Sequence, residues 1–146
     1  MTTRHFVATV LLSLCAGAAH GGGTCLENAA TQREMNVCTE LSYEAVDKEL
    51  HRIYHDIERL YADDRNFLAA LRKSQQAWLA SRDADLDAMF PAEDKQLQYG
   101  SAYPMCVSNL KIRLAIQRIA FLKQWLAGRE EGEVCSGSVK RLDDSG

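Results

Sequence analysis

Tyr43-Glu-Ala-Val46-Asp-Lys-Glu-Leu50-His-Arg-Ile53-Tyr54-His-Asp-Ile57-Glu-Arg-Leu60-Tyr61 is the stretch that decides the fold. Its large apolar residues recur three or four positions apart, and nearly every intervening position is charged or histidine. That spacing places one apolar stripe on an α-helix. Upstream, Thr31 and Glu34 fit a capping box, in which the threonine hydroxyl accepts from the N3 amide and the glutamate reaches back to the cap. A helix starting near Gln32 and reaching about Tyr61 follows. A break near Leu41-Ser42 is left open by the pattern.

Downstream, Asp63-Asp64 can cap a second helix. Its apolar face runs Phe67, Leu68, Leu71, Trp78, Leu79, Leu86 and Met89, with Gln75 and Arg82 on the same side. It should stop at Phe90-Pro91, because a residue before proline avoids the α region. Residues 91–104, with both prolines, Gly100 and the polar run Glu93-Asp94-Lys95-Gln96, read as a loop. A last helix over Cys106 to Leu126 carries Val107, Leu110, Leu114, Ile119, Leu122, Trp125 and Leu126, and Gly128 can stop it. The fold expected is all-α, a small up-and-down bundle of three to four helices stapled by disulfides. The helical domain spans 25–127, and the tail 128–146 is expected to be mostly disordered apart from Cys135.

The first residues read differently. Arg4 precedes the apolar run Phe6 to Ala19, which closes on small residues, the layout of a secretory signal peptide at 1–19. Leu12-Ser-Leu-Cys15 resembles a lipoprotein box, but Leu14 stands where a small residue is needed, so anchoring through Cys15 is the lesser reading. A periplasmic or secreted protein of roughly 127 residues remains, enough for one core. The run is too short for a spanning helix, and no stable membrane insertion is expected. The chain carries 17 basic and 20 acidic residues, and losing Arg4 leaves 16 against 20. No basic patch supports nucleic-acid binding. Discounting Cys15, the even set Cys25, Cys38, Cys106 and Cys135 reads as two disulfides in an exported domain. Three pairings are possible; Cys25–Cys38 with Cys106–Cys135 is favoured, each linking a helix to its own flank.

Candidate chemistry is sparse. Asp47, His51 and His55 share a helix face and could hold a metal, but the glutamate of H-E-x-x-H is missing and no third histidine lies in the helical domain. No metal or cofactor is expected, and the face reads as a solvated stripe. No nucleophile–base constellation or phosphate-binding glycine loop occurs, so no enzyme is expected. Gln75, Trp78, Arg82 and Asp83 read as structural: Arg82 paired with Asp47 or Glu34, and Gln75 bonded to backbone in the core. The loop Gln98-Tyr99-Gly100-Ser101-Ala102-Tyr103-Pro104 offers two rings and adaptable small residues, suiting either a partner contact or self-packing as an Ω-loop.

Two boxes carry a family likeness: Thr31-Gln-Arg-Glu34-Met35-Asn36-Val-Cys38, and Gln75-Gln-Ala-Trp78-Leu-Ala-Ser-Arg82-Asp83. With Cys25, Asp47, Leu50, Tyr54, Gly100, Ser101, Pro104, Met105, Arg118 and Leu122 in order, the chain resembles the LprI-type family of small secreted helical proteins. Leu86 and Leu110 stand where similar members often carry cysteines, and His51 where asparagine is frequent. The resemblance implies an exported binding protein that inhibits lysozyme-type muramidases, its partner being lysozyme or another peptidoglycan-cleaving enzyme. Our own assignment of the contact is Tyr99, Ser101 and Tyr103, with Glu93 and Asp94 as an acidic rim. The rival readings are an envelope structural or regulatory protein of the same fold, and a metal-binding helical module.

Overall fold

The computed structural model describes residues 25–141. The expected signal peptide, and with it Cys15, lies outside the described residues. Three long helices and one short one follow in order: α1 (Gln32–Leu60), α2 (Arg65–Met89), α3 (Lys95–Tyr99) and α4 (Tyr103–Ala127), with a 3-10 turn Gly100–Ala102 between the last two. No strand occurs among the described residues.

Helix α1 is continuous through Leu41-Ser42, and the Ser42 hydroxyl donates to the Cys38 carbonyl instead of breaking the helix. Both halves of the Thr31–Glu34 capping box are formed. α2 starts on Asp64, whose carboxylate accepts from the Phe67 amide, and ends at Phe90 ahead of Pro91. α4 ends at Gly128, whose φ of 72° is a glycine conformation.

α1 and α4 run side by side in the same direction. Ser108 bonds Glu40 at one end, and the Tyr61 hydroxyl meets the Trp125 carbonyl at the other. Leu50, Ile53, Ile57 and Tyr61 of α1 interlock with Ala115, Ile119 and Leu122 of α4, and α2 adds Phe67 and Leu71. Ile53, Ile57 and Leu122 are wholly buried. At the base, Tyr61, Phe67 and Trp125 stack in sequence, with centroids 4.3 and 5.8 Å apart. α2 lies antiparallel to both partners, its start against Tyr61 and Trp125 and its middle against Arg118.

One disulfide joins Cys25 to Cys38 and staples the entry segment onto α1. The expected second bridge is absent: Cys106 and Cys135 are both free and exposed. The reason is the helix between them. Cys106 sits in the first turns of α4 and Cys135 beside Phe121 and Trp125 near its far end, so the rise of the helix from Cys106 to Phe121 keeps them roughly 20 Å apart.

The tail also departs from expectation. Residues 129–141 fold back on the end of the bundle, and Lys140 is the pin in place of Cys135. Its amide donates to the Tyr61 hydroxyl at 2.8 Å, and its ammonium donates to the Leu60 carbonyl and pairs with Asp63. Leu60 ends α1, so its carbonyl lacks a helical partner and is open to such a donor. Ser138 accepts from the Trp125 indole, and Arg129 bonds the Lys140 carbonyl.

Candidate functional site: the corner between α2 and α4

The segment expected as a loop is a built corner. Asp94 caps α3 by accepting from the Leu97 amide at 2.8 Å, and the Lys95 ammonium reaches back to the Phe90 carbonyl. Gly100 then takes φ 66° and ψ −163°, a region essentially reserved for glycine. That turn lets the chain enter α4 at Tyr103, earlier than expected; Pro104 lies in the first turn, where its missing N–H costs nothing.

Three rings set the base of this corner. Tyr99 and Tyr103 stack at 5.7 Å, and Phe90 meets each of them edge-on at 5.3 Å. The Tyr99 hydroxyl accepts from the Ala92 amide, closing the segment onto itself. The Asn36 side chain donates to the Ser101 carbonyl at 2.9 Å, and Gln32 approaches the Met105 sulfur. Of the five residues assigned to a partner contact, Tyr99 and Tyr103 are therefore half-buried in the ring cluster. Glu93, Asp94 and Ser101 are exposed, with Asp94 engaged as a cap.

Sequence reasoning missed Leu97. It is 84 % exposed, on the outer side of α3, in a run that is otherwise polar from Glu93 to Gln98. The available signal was that isolation: a lone apolar residue with no helical stripe to join.

The second box sits at the α2–α4 contact. Gln75 does not bond backbone; its carbonyl oxygen accepts from Arg118 Nε at 2.9 Å. Arg82 does not pair with Asp47 or Glu34; it pairs with its neighbour Asp83 at 2.7 Å and lies 5.6 Å from the Trp78 ring centroid. Glu34 is occupied by the Ala30 and Thr31 amides, which hold its carboxyl below the usual carboxylate range. Asp47 is taken by the Tyr43 hydroxyl and His51. Arg118, buried, also donates to Ser74, and burial presses its pKa down against the influence of Tyr54. The Tyr54 phenol in turn is pushed up, chiefly by its own burial.

His51 and His55 are not brought together on a shared ligand. His51 Nδ1 faces the Asp47 carbonyl and carboxylate, and His55 Nδ1 faces Glu58 at 2.9 Å. With Asp47, Tyr54, Arg72 and Gln75 they border a hollow of about 230 Å³ between α1 and α2. No group of three or more His, Cys, Asp or Glu able to hold a metal ion occurs among the described residues. No helix there is long and apolar enough to cross a membrane.

Comparison with known proteins gives two matches. The family model described as "Lysozyme inhibitor LprI" matches residues 25–122. A protein of Rhizobium meliloti (strain 1021), "Uncharacterized protein R02472", is 32% identical over 117 residues, covering 70% of this chain and 78% of its own. No solved structure matches.

Proposed function

Because the chain belongs to the LprI lysozyme inhibitor family, we propose that it is an exported protein that binds and inhibits a lysozyme-type muramidase, using the corner from Glu93 to Ser101 as its contact. The observation that carries the placement is Leu97, an apolar side chain held out in solvent on a rigid, acidic-flanked base. Holding an exposed leucine at the tip is unfavourable in isolation, and burying it in a partner returns roughly 1.5–3 kcal/mol.

The chemistry fits a muramidase cleft. Such clefts are lined by two carboxylic acids, and lysozymes are commonly basic. A net acidic domain with Glu93 at the rim is steered toward a basic surface. The ring cluster and the Asn36 tether fix the corner before binding, which lowers the ordering cost of association. Ser101 supplies an exposed hydroxyl for the cleft acids, whereas Tyr99 and Tyr103 support the corner from behind. Export is supported by the amino-terminal signal pattern and by the Cys25–Cys38 disulfide, a bond suited to an oxidising compartment.

The test is inhibition of c-type, g-type and i-type lysozymes by the oxidised domain beginning after residue 19. Inhibition of at least one class at micromolar concentration or below is the expected result. A folded protein that inhibits none of the three would remove the proposal.

A further inference from the structure

Arg118 is the buried charge that the proposed function leaves unused. It is only 7 % exposed, yet its Nε and Nη2 hydrogen bonds go to neutral acceptors, Gln75 and Ser74. Among the described residues no carboxylate lies within ion-pair distance of it. Arg52, Arg59 and Arg82, by comparison, each hold a carboxylate, from Glu49 and Asp56, from Asp56, and from Asp83. A buried cation without a counter-charge is costly, and an arriving anion recovers that cost.

The guanidinium is open to such an anion on one side. Nε and Nη2 are engaged, and Nη1 takes no part in those bonds. No fully buried side-chain nitrogen or oxygen among the described residues lacks a partner, so the Nη1 edge reaches the surface. Arg118 lines a surface hollow of about 270 Å³ together with Trp78, Gln117 and Phe121. The Trp78 and Phe121 ring centroids lie 5.8 and 5.3 Å from the guanidinium carbon. Phe121 is about half exposed and Trp78 is partly buried, so two rings flank the guanidinium at the surface.

We propose that this hollow on the α2–α4 face binds a carboxylate carried on an apolar stem, the side chain of a glutamate in an extended peptide with apolar neighbours. The carboxylate takes the free edge of Arg118, with the Gln117 amide as a second donor, and the flanking apolar groups cover Phe121 and Trp78. A planar, singly charged group suits the guanidinium. A strongly hydrated phosphate gains less between two rings. The inference rests on Arg118 and is independent of the muramidase reading.

The experiment titrates the oxidised domain with the blocked peptides acetyl-Leu-Glu-Leu-amide and acetyl-Leu-Gln-Leu-amide, and with inorganic phosphate. The readout is the ¹H–¹⁵N resonances of Arg118 Nε and the Trp78 indole. The glutamate peptide is expected to move both resonances saturably, with affinity falling as salt rises. Gln117→Glu, at an exposed position, places a like charge at the rim and should weaken that binding several-fold without unfolding the protein. Equal binding of the glutamine peptide would reduce the site to an apolar patch and overturn the proposal. Tighter binding of phosphate, indifference to Gln117→Glu, or unmoved resonances with the glutamate peptide would each overturn it too.

Discussion

Asn36 Nδ2 donates to the Ser101 carbonyl at 2.9 Å, tying the first turns of α1 to the 3-10 turn 65 residues later. This bond connects the disulfide-stapled start of the domain to the corner proposed as the partner contact. It joins two segments far apart in sequence at the edge of the bundle, so its loss should act locally. Asn36→Ala is expected to cost about 0.5–1.5 kcal/mol of stability, the usual net worth of one such bond. Hydrogen exchange at residues 97–102 should rise, and inhibition should weaken several-fold. Unchanged exchange in the corner would show that the tether does not hold it.

The disulfide and the free thiols are separable by chemistry. Cys25–Cys38 closes a loop with a sequence separation of 13. Replacing both cysteines by serine is expected to cost about 2–4 kcal/mol in urea unfolding. The folded wild type should titrate Cys106 and Cys135 with a thiol reagent without denaturant, since both are exposed and free. Failure of either to react in the folded oxidised protein would contradict this assignment.

Gln75 has one job in the structure, to receive Arg118 Nε across the α2–α4 contact. Gln75→Leu leaves that donor buried without an acceptor and should cost about 1–3 kcal/mol. Gln75→Glu retains the acceptor and adds a counter-charge, so it should be far milder. Equal costs for the two would mean that packing, and not the bond, matters at this position.

Glu34 provides the pH test. Its carboxylate accepts the Ala30 and Thr31 amides, which lower its pKa from the ordinary 4.5. A folded pKa below the unfolded one gives stability that is present above the unfolded value and lost as pH falls through the folded value. The stability gap between wild type and Glu34→Gln should therefore be constant near neutrality and shrink as pH drops below 4.5. Urea midpoints measured across that range check it; a gap independent of pH would remove the charged capping box from the account.

How much of this was legible beforehand follows from the kind of signal each element leaves. The stripe from Tyr43 to Tyr61, the capping box, Pro91 and Gly128 are local patterns with local causes, and the helices they delimit appear where expected. The corner was missed as structure because α3 is five residues long. Its stripe is too short to repeat, and the cap at Asp94 looked like part of a polar run. Arg118 stood out in the sequence only as part of the family likeness on the last helix, because its burial depends on what α2 brings over it. The pairing of Cys106 with Cys135 failed for a related reason. Proximity along the chain is not proximity in space once a helix lies between.

Leu97 carries the central claim, that the corner is where the partner docks. The most direct measurement compares inhibition constants of wild type, Leu97→Lys and a control, Leu41→Lys, against the lysozyme class that wild type inhibits best. Leu41 is 54 % exposed on α1, so the control introduces the same change on a different surface. Leu97→Lys is expected to weaken inhibition by about tenfold or more, as loss of a central contact does, while Leu41→Lys stays within about twofold of wild type. Full inhibition by a folded Leu97→Lys protein would contradict the account and place the contact elsewhere on the bundle.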